Sequence, residues 1–377
     1  MKKILIINKY FYPGYKAGGP IQSLKNMCDA LQNDFEINVL TWDRDYMDES
    51  SYKNIKPNNW INIDNYKVFY AKDKFIDKNL IIKSIKDVEP DLIYLNSFFD
   101  KISINSIQIA KRFSIPIVLA PRGEFSDGAL KIKKLKKVLF LTFSKIVKLY
   151  SNIKYHATNE LEKKSIENIM GIVPIFISEN FVKKPSKEII LKEYTNEIKL
   201  VYISRVTPKK NLLFLLDFFK TLEINKSITL DIYGPVDDQS YWDKCKKSIS
   251  NIENENICIN YLGAISPSKF EEVYKEIHFS ILPTLGENFG HSIYESLAHG
   301  VPVIVSDQTP WKNLENRKAG FDVTLDKKEF QKVFETLDSM NSERYNHYSK
   351  GALSLAYEYY NSLDTKSIKD DFTKAMK

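Results

Sequence analysis

The chain has 377 residues and a net charge of +7, with 43% hydrophobic and 27% charged residues. This is the composition of a soluble globular protein, and no apolar run of about eighteen residues is present to span a bilayer. The length predicts two domains. Three scattered cysteines, Cys28, Cys245 and Cys258, argue against a disulfide framework or a zinc site with paired ligands, and we expect buried thiols.

Short apolar segments alternate with amphipathic segments of helical length through the first half of the chain, which predicts a parallel sheet flanked by helices. Strands are predicted near residues 3–8, 36–42, 67–71, 91–96, 116–120, 154–158 and 174–178, and helices begin near residues 20, 79, 101 and 128. The first apolar run stops at Asn8, as expected of a strand rather than a secretory leader. We therefore expect a cytoplasmic protein.

A second series of the same kind follows the polar stretch 183–188, which is predicted to be a linker. Its strands are expected at residues 198–204, 228–233, 256–261, 279–283 and 302–306, with a helix over 211–222 and further helices after Lys327. The expected domains are residues 1–182 and 190–355, with a final helix over 356–377 that packs back on the first domain. The fold class is α/β, with two Rossmann-like doubly wound domains and a ligand in the cleft between their carboxyl-terminal strand edges.

A glycine-rich loop containing Gly18 and Gly19 follows the first strand and leads into a helix. Glycines in this place allow backbone N–H groups to approach a ligand closely. The loop has neither the spacing of a dinucleotide site nor the lysine of a P-loop, and a simple tight turn is the alternative.

The segment from 128 to 150 contains lysines and aliphatic residues but no acid. Its lysines are Lys131, Lys133, Lys134, Lys136, Lys137, Lys145 and Lys148. Such a basic amphipathic helix is suited to an anionic membrane surface, and an ordinary solvated helix is the alternative. Nucleic acid is a poorer partner, because the lysines alternate with aliphatics rather than with aromatics and arginines.

Arg205 and Lys210 follow the first strand of the second series. Two cations projecting from a strand end suit a pyrophosphate, since both stabilise the charge of a departing diphosphate. Later in the same half, Glu287 and Glu295 lie on either side of Gly290, where a helix is predicted to begin. A helix N-terminus attracts anions, and the two carboxylates are spaced on the scale of a nucleotide sugar.

These features occur in a fixed order along the chain: the Gly18-Gly19 loop, Ser178-Glu179-Asn180, the pair Arg205 and Lys210, Glu287-x7-Glu295, Gly300-x-Pro302-Val303-Ile304 and Ser306-Asp307. In combination they resemble the group 1, or family 4, retaining glycosyltransferases of the GT-B fold. Ala120-Pro121-Arg122-Gly123-Glu124, the lysine-rich segment and Thr309-Pro310-Trp311 are similar to the branch that builds bacterial lipopolysaccharide, O-antigen, capsule and exopolysaccharide.

The resemblance implies roles for particular residues. Glu295 would accept hydrogen bonds from the ribose of a UDP- or GDP-linked sugar, and Glu287 would contact the donor sugar. The backbone of Asn288, Phe289 and Gly290 would line the sugar and phosphate pocket. Arg205 and Lys210 would hold the diphosphate, so that neither a metal nor another cofactor is expected.

One place departs from the family pattern. Many members have a histidine after the fifth strand, where this chain has Arg122 and Glu124. Arg122 is expected to meet the donor phosphate or sugar, and Glu124 to orient an acceptor hydroxyl or act as a general base. His156, at a later strand end, is expected to be structural rather than catalytic.

The function implied is transfer of a sugar to a hydroxyl of a lipid-linked glycan, at the inner face of a bacterial plasma membrane. Two alternatives stay open. One is another GT-B enzyme, such as a nucleotide-sugar epimerase, or a phosphorylase, which would need pyridoxal phosphate on a lysine. The other is an inactive sugar-nucleotide-binding scaffold. His291, Glu295 and His299 share a predicted helix face, but their spacing is not that of a zinc protease.

Overall fold

The computed structural model describes residues 1–131 and 134–377. The chain divides into two compact units, one formed by Met1–Val182 with Leu363–Lys377 and the other by Lys183–Ser362. We call them the amino-terminal and the carboxy-terminal unit.

The amino-terminal sheet, within the described residues, has eight strands in the order β3-β4-β2-β1-β5-β6-β7-β8. They are β1 Lys2–Ile7, β2 Phe35–Trp42, β3 Trp60–Ile63, β4 Tyr66–Ala71, β5 Leu92–Asn96, β6 Ile117–Ala120, β7 Lys154–Ala157 and β8 Ile175–Ile177. All neighbours are parallel except β3, which pairs antiparallel with β4 at the edge and was not predicted. The parallel strands, by contrast, were predicted because their apolar runs are buried on both faces of the sheet.

Residues 183–362 are described without a gap, and their sheet has six parallel strands in the order β11-β10-β9-β12-β13-β14. They are β9 Glu197–Ile203, β10 Ser227–Tyr233, β11 Ile257–Gly263, β12 Phe279–Leu282, β13 Val303–Ser306 and β14 Gly320–Val323. Of these, only β14 was not predicted. Both sheets are doubly wound, which confirms the predicted fold class.

Helices cover the faces of both sheets. In chain order they are α1 Gly19–Leu31, α2 Lys78–Val88, α3 Lys101–Arg112, α4 Asp127–Lys131, α5 Lys134–Ile146, α6 Glu160–Met170, α7 Leu212–Phe219, α8 Gln239–Ser250, α9 Phe270–Glu276, α10 His291–Ala298, α11 Lys327–Asp338, α12 Ser342–Ser362 and α13 Thr365–Ala375. None of the helices among the described residues is both long and apolar enough to cross a membrane.

The last helix, α13, belongs to the amino-terminal unit. Ile368, Phe372 and Ala375 recur at helical spacing and are buried in the core beside α1. The predicted division after residue 355 lies inside α12, and the two units divide after Ser362 instead.

One further expectation needs correction. Cys28 and Cys245 are buried, but Cys258 is exposed, because it lies on β11 at the edge of its sheet. Of the basic segment 128–150, the structure describes α4 and α5, and residues 132 and 133, among them Lys133, lie outside the described residues.

Candidate active site

The carboxy-terminal sheet reverses its winding at β9, which has β10 on one side and β12 on the other. Ligands of doubly wound sheets bind beyond the carboxyl ends of the strands at this point of reversal. The chain places Arg205 and Lys210 after β9, and Glu287 after β12. The residues singled out from the sequence therefore meet at the place where such a fold binds its ligand.

Glu287 lies in a short loop that is fixed from several sides. Its carboxylate accepts hydrogen bonds from Lys210 Nζ at 2.6 Å and from Thr284 Oγ1 at 2.9 Å. Its backbone N–H donates to the carbonyl of Gln308 at 3.1 Å, and Leu285 N–H donates to the carbonyl of Lys209 at 2.8 Å. The loop is thereby tied both to the segment after β9 and to the segment after β13.

Both predicted phosphate-binding cations have an acidic partner. Lys210 forms the ion pair with Glu287, and its side chain is only 17% exposed. Arg205 pairs with Asp237 at 2.7 Å. Asp237 lies 32 positions from Arg205, so no local sequence pattern marks the two as partners. An arriving diphosphate would therefore have to share or exchange these partners.

A third cation, Lys209, adjoins the pair. Burial is the main reason that its pKa is lowered, with Glu287 acting in the opposite direction and the charges of Lys210 and Arg205 reinforcing the fall. The concentration of positive charge in one turn favours an anionic ligand.

The helix α10 begins directly after Gly290, which has a φ of 86°. A Cβ at this position would approach Ile293 Cδ1 to 2.7 Å, so that both the space and the left-handed backbone favour glycine. First-turn N–H groups of a helix lack intrahelical partners and carry a partial positive charge. The residues Asn288, Phe289 and Gly290 thus lead into a helix N-terminus suited to phosphate or hydroxyl oxygens.

Trp311 holds the residues that lead into α10. Its Nε1 donates a buried hydrogen bond of 2.7 Å to the carbonyl of Phe289, and the two rings lie 5.6 Å apart. In the sequence, Trp311 was only part of the branch resemblance, since nothing in its spacing reveals the residue that it holds.

Glu295 lies in the middle of α10 and is 9% exposed. Burial raises the pKa of its carboxyl to about 7, and the charge of Lys183 only partly offsets this effect. His299, one turn later, directs Nδ1 to the backbone carbonyl of Glu295 at 2.6 Å. In the part of the chain that the structure describes, no group of three or more His, Cys, Asp or Glu side chains could hold a metal ion.

The predicted residues of the amino-terminal unit follow the carboxyl ends of two strands, Gly18 and Gly19 after β1 and Arg122 and Glu124 after β6. Gly18 precedes α1 with a φ of 79° and without a side-chain cap, and Gly19 is the first helical residue. No capping side chain therefore covers the backbone at the start of α1.

Arg122 is held by three neutral oxygens after β6. Its guanidinium donates to Asn96 Oδ1 at 3.0 Å, to Asn180 Oδ1 at 3.1 Å and to the Tyr94 hydroxyl at 2.8 Å. The three bonds fix the orientation of the guanidinium. Because all three acceptors are neutral, they do not compensate its positive charge.

His156 continues this arrangement as a buried, neutral group. Burial and the charge of Arg122 lower its pKa to about 3. Its Nε2 lies 2.9 Å from the carbonyl of Ser178, which can only accept, so Nε2 carries the proton and Nδ1 accepts from the Tyr94 hydroxyl at 2.8 Å. A directed chain of hydrogen bonds therefore runs from Arg122 through Tyr94 and His156 to Ser178.

Glu124 has a different environment from the one expected of an acceptor-orienting group. One carboxylate oxygen accepts from Ser97 Oγ at 2.6 Å, and the other from the N–H groups of Phe98 and Phe99. Burial nevertheless raises its pKa. Both oxygens hold the loop after β5, where Ser97 has a φ of 77°.

Comparison with known proteins places this geometry in a class. Over 99% of the chain, the fold matches that of sucrose-phosphate synthase from Thermosynechococcus elongatus (98% of that chain covered, TM-score 0.73, 13% identity). It also matches Anabaena HepE in complex with UDP and glucose, with 100% and 99% coverage, a TM-score of 0.70 and 16% identity. The architecture is the GT-B fold of glycosyltransferases.

The similarity to a sequence family lies in the carboxy-terminal unit. Residues 183–336 match the family of glycosyl transferases group 1. A curated relative, the alpha-monoglucosyldiacylglycerol synthase of Streptococcus pneumoniae, is 27% identical over 252 residues, which cover 62% of this chain. The match spans 55% of that protein, about half its length. The sequence of residues 183–336 thus resembles the group 1 glycosyltransferases, and the chain as a whole has their fold.

Proposed function

We propose that the protein is a retaining glycosyltransferase that moves a sugar from a UDP- or GDP-linked donor to a hydroxyl of a lipid-linked glycan in bacterial surface-polysaccharide synthesis. The observation that carries the donor half is the meeting of Arg205, Lys210 and Glu287 at the reversal point of the carboxy-terminal sheet. In HepE, a protein of the same fold, UDP and glucose are bound.

The chemistry assigned to this site needs no metal. Arg205 and Lys210 would exchange Asp237 and Glu287 for the diphosphate oxygens and stabilise the charge that builds on them. Glu287 would then accept hydrogen bonds from donor sugar hydroxyls, and Glu295 from the ribose. The backbone of Asn288, Phe289 and Gly290 would complete the pocket.

Retention follows if attack occurs on the face that the leaving group departs from. The bond between the anomeric carbon and the diphosphate oxygen breaks, and the acceptor oxygen forms its bond to that carbon. The acceptor proton passes to a phosphate oxygen of the departing nucleoside diphosphate. No side chain need act as a base, which agrees with the use of both Glu124 oxygens in holding a loop.

In the amino-terminal unit we assign substrate oxygens to the fixed Arg122 guanidinium and to the backbone at Gly18 and Gly19. Glu124 acts through the loop after β5 in this proposal. Glu124→Gln would keep the size of the side chain and lose an acceptor, so we expect a lower thermal stability with turnover changed less than tenfold. A complete loss of turnover in a folded variant would instead identify Glu124 as a catalytic base.

The membrane half of the proposal rests on α5. Its inner side packs on the unit through Phe140, Leu141 and the buried Ser144. Its outer side is apolar yet exposed, and Leu135 and Ile146 are each 74% exposed. We call this outer side the apolar face of α5, and it consists of Leu135, Val138, Leu139, Phe143 and Ile146.

Exposed lysines flank the apolar face: Lys134, Lys136, Lys145 and Lys148. Lys137 does not join them, because its ammonium donates to the carbonyl of Ala129 at 2.8 Å and lies 4.8 Å from the Phe99 ring. Apolar side chains between lysines suit an interface of acyl chains and anionic headgroups. The curated relative is, by its name, the synthase of a glucosyldiacylglycerol, which is a lipid.

Cosedimentation with phosphatidylglycerol vesicles tests this half. We expect the wild type to bind at low salt, and Leu139→Glu with Phe143→Glu to lose binding at least tenfold, because charge is placed in the apolar face. Lys137→Gln is the control and should bind like the wild type. Equal binding by the double variant would reject α5 as the membrane contact.

Turnover tests the donor half against its alternatives. Release of UDP or GDP from nucleotide sugars, slow without acceptor and faster with bacterial lipid extract, is the expected result. Nucleotide binding without turnover on any acceptor would favour the inactive scaffold. A product in which the sugar stays on the nucleotide would favour an epimerase, and absorption by bound pyridoxal phosphate would favour a phosphorylase.

A further inference from the structure

Three aromatic side chains lie together at the carboxyl ends of β1 and β2. The ring of Tyr10 lies 5.3 Å from that of Trp42 and 5.6 Å from that of Tyr46, edge to face in both cases. We call Tyr10, Trp42 and Tyr46 the aromatic cluster. All three side chains are partly exposed, so part of each ring surface is accessible to a ligand.

The cluster lies at the reversal point of the amino-terminal sheet. Strand β1 has β2 on one side and β5 on the other. Tyr10 follows β1, Trp42 ends β2, and Asp100 follows β5. This is the position at which a doubly wound domain offers a crevice to a ligand.

Charged and hydroxyl groups border the aromatic rings. Lys9 pairs with Asp100 at 2.5 Å and lies 5.5 Å from the centre of the Trp42 ring. Burial, together with Tyr46, Asp45 and Asp100, raises the pKa of Tyr10, so its phenol stays protonated and can donate a hydrogen bond. The surface thus presents apolar ring area together with both donors and acceptors.

The loops that bear the cluster are held together by Asp45, which is buried. Its carboxylate accepts from the N–H groups of Tyr15 at 2.7 Å, Lys16 at 3.1 Å and Tyr46 at 2.7 Å. The loop after β1 is in this way fixed to the loop after β2. A surface fixed before binding loses little conformational entropy when a ligand arrives.

We propose that the aromatic cluster is a carbohydrate-binding subsite for a pyranose ring of the acceptor. A pyranose has an apolar face of C–H groups and a rim of hydroxyls, which matches aromatic rings bordered by Asp100, Lys9 and the Tyr10 phenol. An acyl chain would cover the Tyr10 phenol without offering it a hydrogen-bond partner. The inference rests on the proposed function for the meaning of acceptor, and it identifies the group bound in this unit as a sugar.

Saturation-transfer NMR with methyl α- and β-glycosides of glucose, galactose and mannose tests the proposal on the full chain. We expect ring C–H protons of at least one glycoside to be saturated by the wild type, with little transfer to glycerol as a polyol without a ring. Tyr10→Ala should reduce binding about tenfold through loss of ring contact, whereas Tyr10→Phe should keep most of it.

Two controls keep the outcome specific. Phe113→Ala removes a partly exposed aromatic ring at the end of α3, and it should bind glycosides like the wild type. Thermal shift with UDP and GDP is measured on every variant and should not change in Tyr10→Ala. No glycoside transfer in the wild type, or equal transfer in Tyr10→Ala, would overturn the subsite. If the wild type binds glycosides but neither UDP nor GDP raises its melting temperature, the donor site is rejected and the carbohydrate subsite is not.

Discussion

Each unit has an arginine beyond the carboxyl ends of its strands, Arg122 in one and Arg205 in the other, but the two guanidinium groups are held in opposite ways. In the amino-terminal unit, Arg122 is fixed by neutral oxygens of Asn96, Asn180 and Tyr94. In the carboxy-terminal unit, Arg205 and Lys210 each contact a carboxylate.

The difference concerns what a ligand must displace. A cation held by neutral dipoles keeps its charge for an incoming oxygen, while a cation paired with an acid has to exchange that partner. Exchange suits a group that binds and releases a diphosphate in each cycle. Each prediction below alters one side of this comparison, from the largest expected effect to the smallest.

The largest effect, a loss of turnover, is expected in the carboxy-terminal unit, where the cations are paired with carboxylates. Glu287→Ala removes the partner of Lys210 and the proposed contact to the donor sugar, so turnover should fall by about 100-fold or more. Stability should fall as well, since the largely buried Lys210 loses its partner, so turnover is measured at a temperature where the variant is folded. The measurement is nucleotide release under saturating donor, with the exposed Glu253→Ala as control. Turnover within threefold of the wild type would remove Glu287 from the site.

A pH-dependent effect is expected from Glu295. Its pKa of about 7 exceeds the ordinary value of 4.5, so between these values the folded chain keeps a proton that the unfolded chain releases. Stability should therefore fall as pH rises from 4.5 to 7 and then level off, by at most about 3 kcal/mol from this group.

Glu295→Gln isolates that contribution. The difference in unfolding free energy between variant and wild type should favour the variant increasingly up to pH 7, and stay constant above it. Urea titrations at four pH values measure it, with the exposed Glu276→Gln as control. A difference that does not change with pH would contradict the buried carboxyl.

A smaller effect, on stability, is expected in the amino-terminal unit, where Arg122 is held by neutral oxygens. Tyr94→Phe removes the hydroxyl that joins Arg122 to His156 and leaves the buried Nδ1 without its donor, so unfolding should become easier by about 1–3 kcal/mol. Tyr155→Phe is a matched control, because within the described residues its buried hydroxyl has no hydrogen-bond partner. Equal stability losses in the two variants would mean that the chain of hydrogen bonds does not hold Arg122.

The smallest effect is expected at Trp311. Trp311→Phe keeps a ring but loses the hydrogen bond to the Phe289 carbonyl, and we expect a cost of about 1 kcal/mol with a severalfold rise in the donor KM. Trp60→Phe loses only an exposed bond of 3.4 Å to Asp87 and serves as control. An unchanged KM would show that α10 keeps its entry without this bond.

Sequence patterns predicted every strand except β3 and β14, because buried strands such as β1 and β9 are short apolar runs between polar segments. They were also sufficient to select Arg205, Lys210 and Glu287, because residues that follow parallel strands lie at the same edge of the sheet. The sequence patterns did not reveal the hydrogen-bond and ion-pair partners of these residues. Asp237 and Thr284 meet their cation or carboxylate only after folding, and no local pattern marks Glu124 as a loop anchor or Tyr94 as the link to His156. The exposed face of α5 was likewise hidden, since spacing does not tell which side of an amphipathic helix faces the core.

The central claim, that the carboxy-terminal edge site binds a nucleoside diphosphate through exchanging ion pairs, is tested most directly by thermal shift with UDP, GDP, ADP and CMP. We expect one diphosphate to raise the melting temperature of the wild type, since binding at a hundredfold excess over Kd stabilises by about 2.7 kcal/mol. Lys210→Met should abolish most of that rise, while Arg317→Met, which breaks an ion pair with Glu358 on the surface, should retain it. No shift with any nucleotide, or an undiminished shift in Lys210→Met, would contradict the account.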